Sequence, residues 1–340
     1  MFAPLSIPSP DYAWQGFIVP LGEWLHGFLP FVPETYALNI RSYALCILVG
    51  IVAATILTSR RLTKRGAEPG IVLDVIIWAV PLGILGARLF HVVTHPDDYF
   101  GAGKNLWAIL FIWEGGLAIF GGLIFGAIGA LIGCRVAGLR FWSFADAVAP
   151  GLLLAQAFGR FGNYFNHELF GLPTTAPWGL EIEASNPAYP IGLPEGTLFQ
   201  PTFLYEIVWN LIGVAVILFV SHRFRAQWGK LIALYLVWYG AGRIVWESIR
   251  VDPSEIFFGI RTNVWAAIAA VVIGIVIFIV QSRRHPGVEP SPYLPGREWV
   301  ESSTGVDSDK TYSDTDEPGD EAANKTGTPA TSGAGATTMS

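Results

Sequence analysis

The sequence predicts an all-α integral membrane protein of about seven transmembrane helices, with a loop and arm region on the outer face and a disordered C-terminal tail. Three observations carry this. Of 340 residues, 52% are hydrophobic and 14% charged, and the mean hydropathy is +0.47, outside the range of a soluble domain. Seven stretches are long enough to cross about 30 Å of hydrocarbon at about 1.5 Å per residue. Basic residues gather in every second connection between them.

Taken in order, residues 1–40 contain no Lys or Arg and are rich in Pro, Trp and Gly (IPSPDYAWQGF, LGEWLHGFLPF), which suits an extracytoplasmic or interfacial segment and not a secretory signal peptide. The catalytic candidate is the domain 41–282, with spans at 42–59, 72–94, 106–133, 143–162, 201–221, 230–249 and 262–281 and a long connection at 163–200. Five glycines in 113–126 (WEGGLAIFGGLIFG) permit close helix contact in lipid. Cys46 and Cys134 stand 88 residues apart in apolar runs and read as small core residues, with neither a disulfide framework nor a metal site indicated. No internal repeat is visible. The formal charge of −6 is concentrated in the tail: residues 286–340 hold ten Asp/Glu against three Lys/Arg, which leaves 17 acidic and 18 basic residues before them. Rich in Ser, Thr, Gly and Pro, the segment 283–340 has too little apolar surface to fold.

Charge orients the chain. With the N-terminus outside, eleven Lys/Arg flank the inner ends, from Arg60, Arg61, Lys64 and Arg65 to Arg283 and Arg284, while the outer loops hold only Lys104, Arg250 and Arg261. The C-terminus is then cytoplasmic. On that topology the ionisable groups embedded in the spans share one depth. Arg41 and Tyr43 open the first span, Arg88 and His91 lie in the outer third of the second, and Glu114 in that of the third. Arg160 ends the fourth, Glu206 lies near the start of the fifth, and Arg243 and Glu247 near the end of the sixth. Only Asp74 and Asp146 lie at inner ends, near helix N-termini that favour carboxylates. A charge within a span costs roughly 2.5–3.5 kcal/mol on insertion scales, so it faces protein or a wet cavity. One alternative is a set of structural ion pairs, and Arg243 and Glu247 have the i,i+4 spacing for one. A shared depth favours a cavity open to the outer leaflet, whose arginines match a phosphate. The expected ligand is a phospholipid head group.

The stretch AFGRFGNYFNHE (157–168) concentrates these features, and it leads to a family. GRFGNYFNHELFG (159–171) resembles the signature of the bacterial prolipoprotein diacylglyceryl transferases, Gly-Arg-x-Gly-Asn-Phe-x-Asn-x-Glu-x-x-Gly, with Tyr164 in place of the usual Phe. RSYALCILVG (41–50), GARLFHVV (86–93), WEGGLAIFGG (113–122), QPTFLYE (200–206) and YGAGRIVWESIR (239–250) follow the family in order, so the resemblance covers roughly 40–282. It implies transfer of the diacylglyceryl group of phosphatidylglycerol to the lipobox cysteine of a prolipoprotein signal peptide. The product is a thioether, glycerol phosphate leaves, and this is the first step of bacterial lipoprotein maturation. By resemblance, Arg160, Asn163, Asn166, Glu168 and Gly171 shape the phosphatidylglycerol site. Arg243 and Glu247 fall on the family's essential arginine and glutamate, Tyr43 on its tyrosine, and Arg88 and Glu206 on recurrent positions. The implied enzyme is a multi-pass protein of the bacterial cell membrane that needs no cofactor or metal and takes no nucleic acid.

One position departs from the pattern. Some members carry a histidine, discussed as the thiol's base, where this chain has Phe120. His91, His167 and Glu247 remain as candidate bases, with His91 preferred and His167 at a variable position of the signature. Two other readings use the same features: a phospholipid transporter, which would place polar groups nearer the midplane, and a catalytically inactive relative that still binds lipid. A nucleotide-dependent phosphatidyltransferase lacks its Asp-x-x-Asp-Gly motif here.

Overall fold

The computed structural model describes residues 6–29, 33–101, 103–112, 115–252 and 256–300. The Glu114 expectation and the tail from 301 lie outside them. Chain order is a 3-10 turn (Tyr12–Gln15), β1 (Gly16–Pro20), α1 (Gly22–His26), β2 (Ala37–Arg41), α2 (Ser42–Thr63) and α3 (Val72–Thr94), then α4 (Ile119–Val136) and α5 (Phe141–Phe165). After β3 (Leu180–Glu181) and β4 (Leu198–Phe199) come α6 (Thr202–Phe224), α7 (Lys230–Ile249), β5 (Ile256–Phe257), β6 (Ile260–Arg261) and α8 (Thr262–Arg284). Among the described residues, six of the seven long helices are long and apolar enough to cross a membrane. The seventh, α7, has 20 residues and is the one that carries Arg243 and Glu247.

The helix pairs α3–α4, α2–α5 and α7–α8 pack antiparallel, held by small residues as expected where packing, not hydrophobicity, drives association in lipid. A methyl on Gly133 of α4 would sit 2.8 Å from Val75 Cα of α3, so side chains there would force the two helices apart. Gly50 of α2 faces Ala155 of α5, and Gly240 of α7 faces Ala267 of α8. Between α6 and α7, Trp209 and Trp238 stack at 4.5 Å and each indole donates to the other's carbonyl.

The third predicted span is shorter than expected. Instead of one helix over 106–133, a 3-10 turn covers Leu106–Leu110 and the helix begins at Ile119. Gly115 and Gly116 adopt φ of 98° and 69°, left-handed values that a right-handed helix does not contain. Arg88 fixes this break by donating to the carbonyls of Ala108, Ile109, Gly115 and Gly116.

The two ends of the bundle differ. Where α2, α4, α6 and α8 begin, loops are long and paired. The hairpin β1–β2 runs directly into α2 and exposes Phe17 and Ile18, beside Trp14 of the preceding 3-10 turn. Ile7 extends the β3–β4 ladder in parallel, over a core of Phe170, Leu180, Ile182, Phe199 and Phe203. At the other, basic end connections are short. Asp146, fully buried, accepts from the amides of Gly229, Leu231 and Ile232 at 2.8–3.0 Å and so caps α7 from α5.

A strap crosses this basic end, formed by residues 285–297, which the composition had assigned to a disordered tail. Tyr293 is 3% exposed within the cluster of Leu62, Val75, Cys134 and Leu139. Its hydroxyl accepts from the Glu68 amide at 2.9 Å, and its carbonyl accepts from Arg140 Nε at 2.7 Å. Glu289 accepts from Ser143 and from the Trp228 amide, and His285 stacks on Trp228 at 4.2 Å. Non-periodic contacts of this kind leave no helical or strand signature in the sequence. Cys134 is buried and Cys46 half-buried, both as free thiols.

Candidate active site

Helices α2, α5, α6 and α7, with Ile119 at the start of α4, line a cavity of about 250 Å³ at the end where the long loops lie. Five of the residues singled out from the sequence line it: Tyr43, Arg160, Asn163, Glu206 and Arg243. Each comes from the first or last turns of its helix, so four separate chain segments converge because antiparallel packing brings those turns to one level.

Arg160 pairs with Glu206 at 2.6 Å and donates to Asn163 Oδ1 at 3.0 Å. Asn163, 5% exposed, donates in turn to Glu168 Oε1 at 2.8 Å, which also accepts from Asn166 at 3.2 Å. The spacing of the signature thus has a geometric meaning. Arg160 and Asn163 lie one turn apart on α5, and Glu168, just past the helix end, orients Asn163 from behind with help from Asn166. Gly171 lies outside the cavity wall and bridges to Arg250. A methyl on it would approach Gln200 Cβ at 2.7 Å and Thr202 Cγ2 at 3.0 Å, so glycine lets the loop close onto the start of α6.

Arg243 reaches the cavity from α7 and pairs with Glu247 at 2.7 Å. The Glu247 side chain is fully buried, and Arg261 at 3.2 Å, Arg250 at 3.6 Å and Asn263 at 3.0 Å surround it. Arg250 is itself held bidentately by Asp252 at 2.7 and 3.0 Å. A carboxylate so deeply paired acts through Arg243, fixing the guanidinium that the cavity presents. The i,i+4 pair anticipated as a structural alternative is therefore real, and it also serves the cavity. Arg250, Arg261 and Asn263 were not singled out from the sequence. Arg250 caps the end of α7, Arg261 ends β6 and Asn263 lies in the first turn of α8, at element ends where no periodicity marks them.

Two expected site residues stand elsewhere. Arg88, 7% exposed, spends its donors on four backbone carbonyls and lies over the Tyr99 ring at 5.1 Å. His91 stacks on His95 at 4.4 Å and meets Tyr99 edge-on at 6.0 Å. Neither lines the cavity. Phe120 packs at 6.3 Å from Phe90, so the position filled by histidine in some family members is aromatic and apolar here. His167 is 3% exposed, with Nδ1 on Glu183 at 3.0 Å and its ring tilted against Tyr12. Among the described residues, no group of three or more His, Cys, Asp or Glu could hold a metal ion.

The wall therefore offers two guanidinium groups against the single carboxylate of Glu206. Each guanidinium has five N–H donors, and carboxylate or amide side chains engage only some of them. An anionic oxyacid entering from the open end can take the rest, bidentately and in a setting of low dielectric.

Comparison with known proteins agrees. A family model described as prolipoprotein diacylglyceryl transferase matches residues 30–280. A protein of Leifsonia xyli subsp. xyli named phosphatidylglycerol–prolipoprotein diacylglyceryl transferase is 63% identical over 313 residues, 90% of each chain. One of Streptomyces coelicolor with that name and the number 2 is 45% identical over 257 residues, covering 76% of this chain and 80% of the other. A third, of Mycobacteroides abscessus, is 44% identical over 284 residues, covering 80% and 77%. The cavity and the ion pairs behind it fall wholly within the matched region, and the chain belongs to the prolipoprotein diacylglyceryl transferase family.

Proposed function

We propose that the protein transfers the diacylglyceryl group of phosphatidylglycerol to the lipobox cysteine of prolipoproteins, as the names of its relatives describe for them. The observation that carries this is the pair Arg160 and Arg243, two guanidiniums from different helices facing one cavity at one end of a membrane bundle. In the reaction the cysteine sulfur attacks the glyceryl carbon bonded to phosphate. The S–C bond forms, the C–O bond to phosphorus breaks, and glycerol phosphate leaves with the electron pair.

Charge builds on the leaving phosphate oxygens, so fixed guanidiniums there lower the barrier. A thiol of pKa about 8.5 needs only modest help to ionise, and the positive wall favours its thiolate. Glu206 and Asn163 hold Arg160 in place, and Glu247 holds Arg243. Tyr43 brings a hydroxyl to the same wall. Arg88 and His91 belong to the neighbouring α3 end, where Arg88 shapes the break before α4. The positive-inside pattern supports an orientation with the cavity facing the outer leaflet of the cell membrane and the strap in the cytoplasm. Signal peptides emerge on that same outer side.

The test combines purified protein, phosphatidylglycerol and a lipobox peptide, with the diacylglyceryl thioether read by mass spectrometry. Product from the intact protein and none from Arg160→Ala is the expected result. Undiminished product from that variant would remove Arg160 from the site, and no product from the intact protein with several peptides would favour an inactive lipid-binding relative. Rescue of a transferase-depleted bacterium tests substrate, orientation and activity together.

A further inference from the structure

Beneath the charged residues lies a second polar layer. Gln156 stands four residues before Arg160 on α5, Asn210 four after Glu206 on α6, and Tyr239 four before Arg243 on α7. Since α5 and α7 run toward the open end and α6 runs away from it, all three lie one helical turn deeper, about 6 Å below their charged counterparts. All three line the cavity, and none carries a formal charge.

Their hydrogen-bonding state separates them from ordinary core residues. Asn210 is 5% exposed as a residue and lines the cavity, and among the described residues its side-chain amide makes no hydrogen bond. Gln156 donates to Tyr235 Oη at 3.0 Å, while its Oε1 is buried and unpartnered. By contrast the indoles of Trp209 and Trp238, close by, are fully engaged with each other's carbonyls. A buried amide oxygen without a partner, as on Gln156, is costly, and the open amide of Asn210 stands beside it on the same wall. Its retention at a cavity wall points to a ligand that completes it.

We propose that Asn210, with Gln156 and Tyr239 beside it, forms an uncharged subsite that hydrogen-bonds the neutral oxygens flanking the phosphate of the bound phospholipid. The inference rests on the reading of the cavity as a phosphatidylglycerol site. Two sets of oxygens have the right chemistry and lie about one helical turn from the phosphorus: the ester carbonyls of the diacylglyceryl part and the hydroxyls of the glycerol head. Amides and a phenol serve either set, because they both donate and accept. The charged layer then anchors the phosphate, and the neutral layer sets which lipid is retained and how its reacting carbon is held.

The test measures lipid retention by purified protein in detergent, using native mass spectrometry, for the intact chain, Asn210→Leu and Asn210→Ser. Three lipids are compared: phosphatidylglycerol, its diether analogue without ester carbonyls, and phosphatidylethanol without head-group hydroxyls. Asn210→Leu is expected to weaken retention of phosphatidylglycerol about 5- to 10-fold, the effect of one hydrogen bond, with Asn210→Ser recovering part of it. The penalty vanishes on the diether if the ester carbonyls are the partners and on phosphatidylethanol if the hydroxyls are. Equal retention by Asn210→Leu and the intact chain, or an equal penalty on all three lipids, overturns the proposal. If Asn210→Leu melts early in detergent, the same three-lipid comparison on Asn210→Ser decides. Retention of phosphatidylglycerol by the intact protein without thioether formation would defeat the enzymatic reading and leave the subsite standing, so the two failures are distinguishable.

Discussion

The two ends of the bundle use the same residue types in opposite ways. At the basic end, Arg65, Arg140 and Arg297 donate to backbone carbonyls of neighbouring segments, and Arg61 to the Asp146 carbonyl and Ser221. The buried carboxylate there, Asp146, is occupied by three backbone amides. At the cavity, Arg160 and Arg243 contact carboxylate and amide side chains instead. An arginine that grips carbonyls cannot be released without opening the backbone it joins. One held by a carboxylate can exchange that partner for a phosphate at little cost, since the two acceptors offer similar oxygens. Arg88 makes the contrast local: it lies toward the cavity end in sequence depth but has the bonding of the opposite end.

This contrast can be tested, beginning with the largest effect. Arg160→Ala is expected to lower kcat/KM for thioether formation on the order of 10³-fold, because a preorganised donor is lost. Glu247→Leu leaves three guanidiniums around an apolar side chain and should cost about 3–5 kcal/mol of stability, read as an early thermal transition in detergent. Tyr293→Ala, at the basic end, removes a packed ring and should cost about 3 kcal/mol, without changing KM for phosphatidylglycerol. Arg88→Lys gives up the fork that joins four carbonyls and should cost about 1–3 kcal/mol. A tenfold rise in KM for lipid with unchanged melting would instead class Arg88 with Arg160 and break the comparison.

Much of this was legible in the sequence, for identifiable reasons. Span positions followed from hydropathy, and α3 and α7 begin and end where the apolar runs do. The level shared by Arg160, Glu206 and Arg243 followed from counting depth along alternating spans, and the structure brings these three to one cavity. What the count could not supply was the number of partners each arginine has. Arg88 differs from Arg160 through its bonds to residues 108, 109, 115 and 116, two of them left-handed glycines inside what reads as a continuous apolar run. Asn210 and Gln156 escaped notice because a single polar residue in an apolar span carries no motif, and Tyr239 entered only as the first letter of a family-like segment. The available signal was their spacing of four from a charged residue on the same helix. Composition assigned the strap to the tail, since Tyr293 and Glu289 bind through irregular backbone without any period.

The strap also bears on the order of assembly. Residues 285–297 are translated after every long helix, yet they bond to the connections around Glu68, Arg140 and Trp228, made tens to hundreds of residues earlier. The strap works as a latch across the basic ends of the helices, and it lies beyond the region that the family model matches.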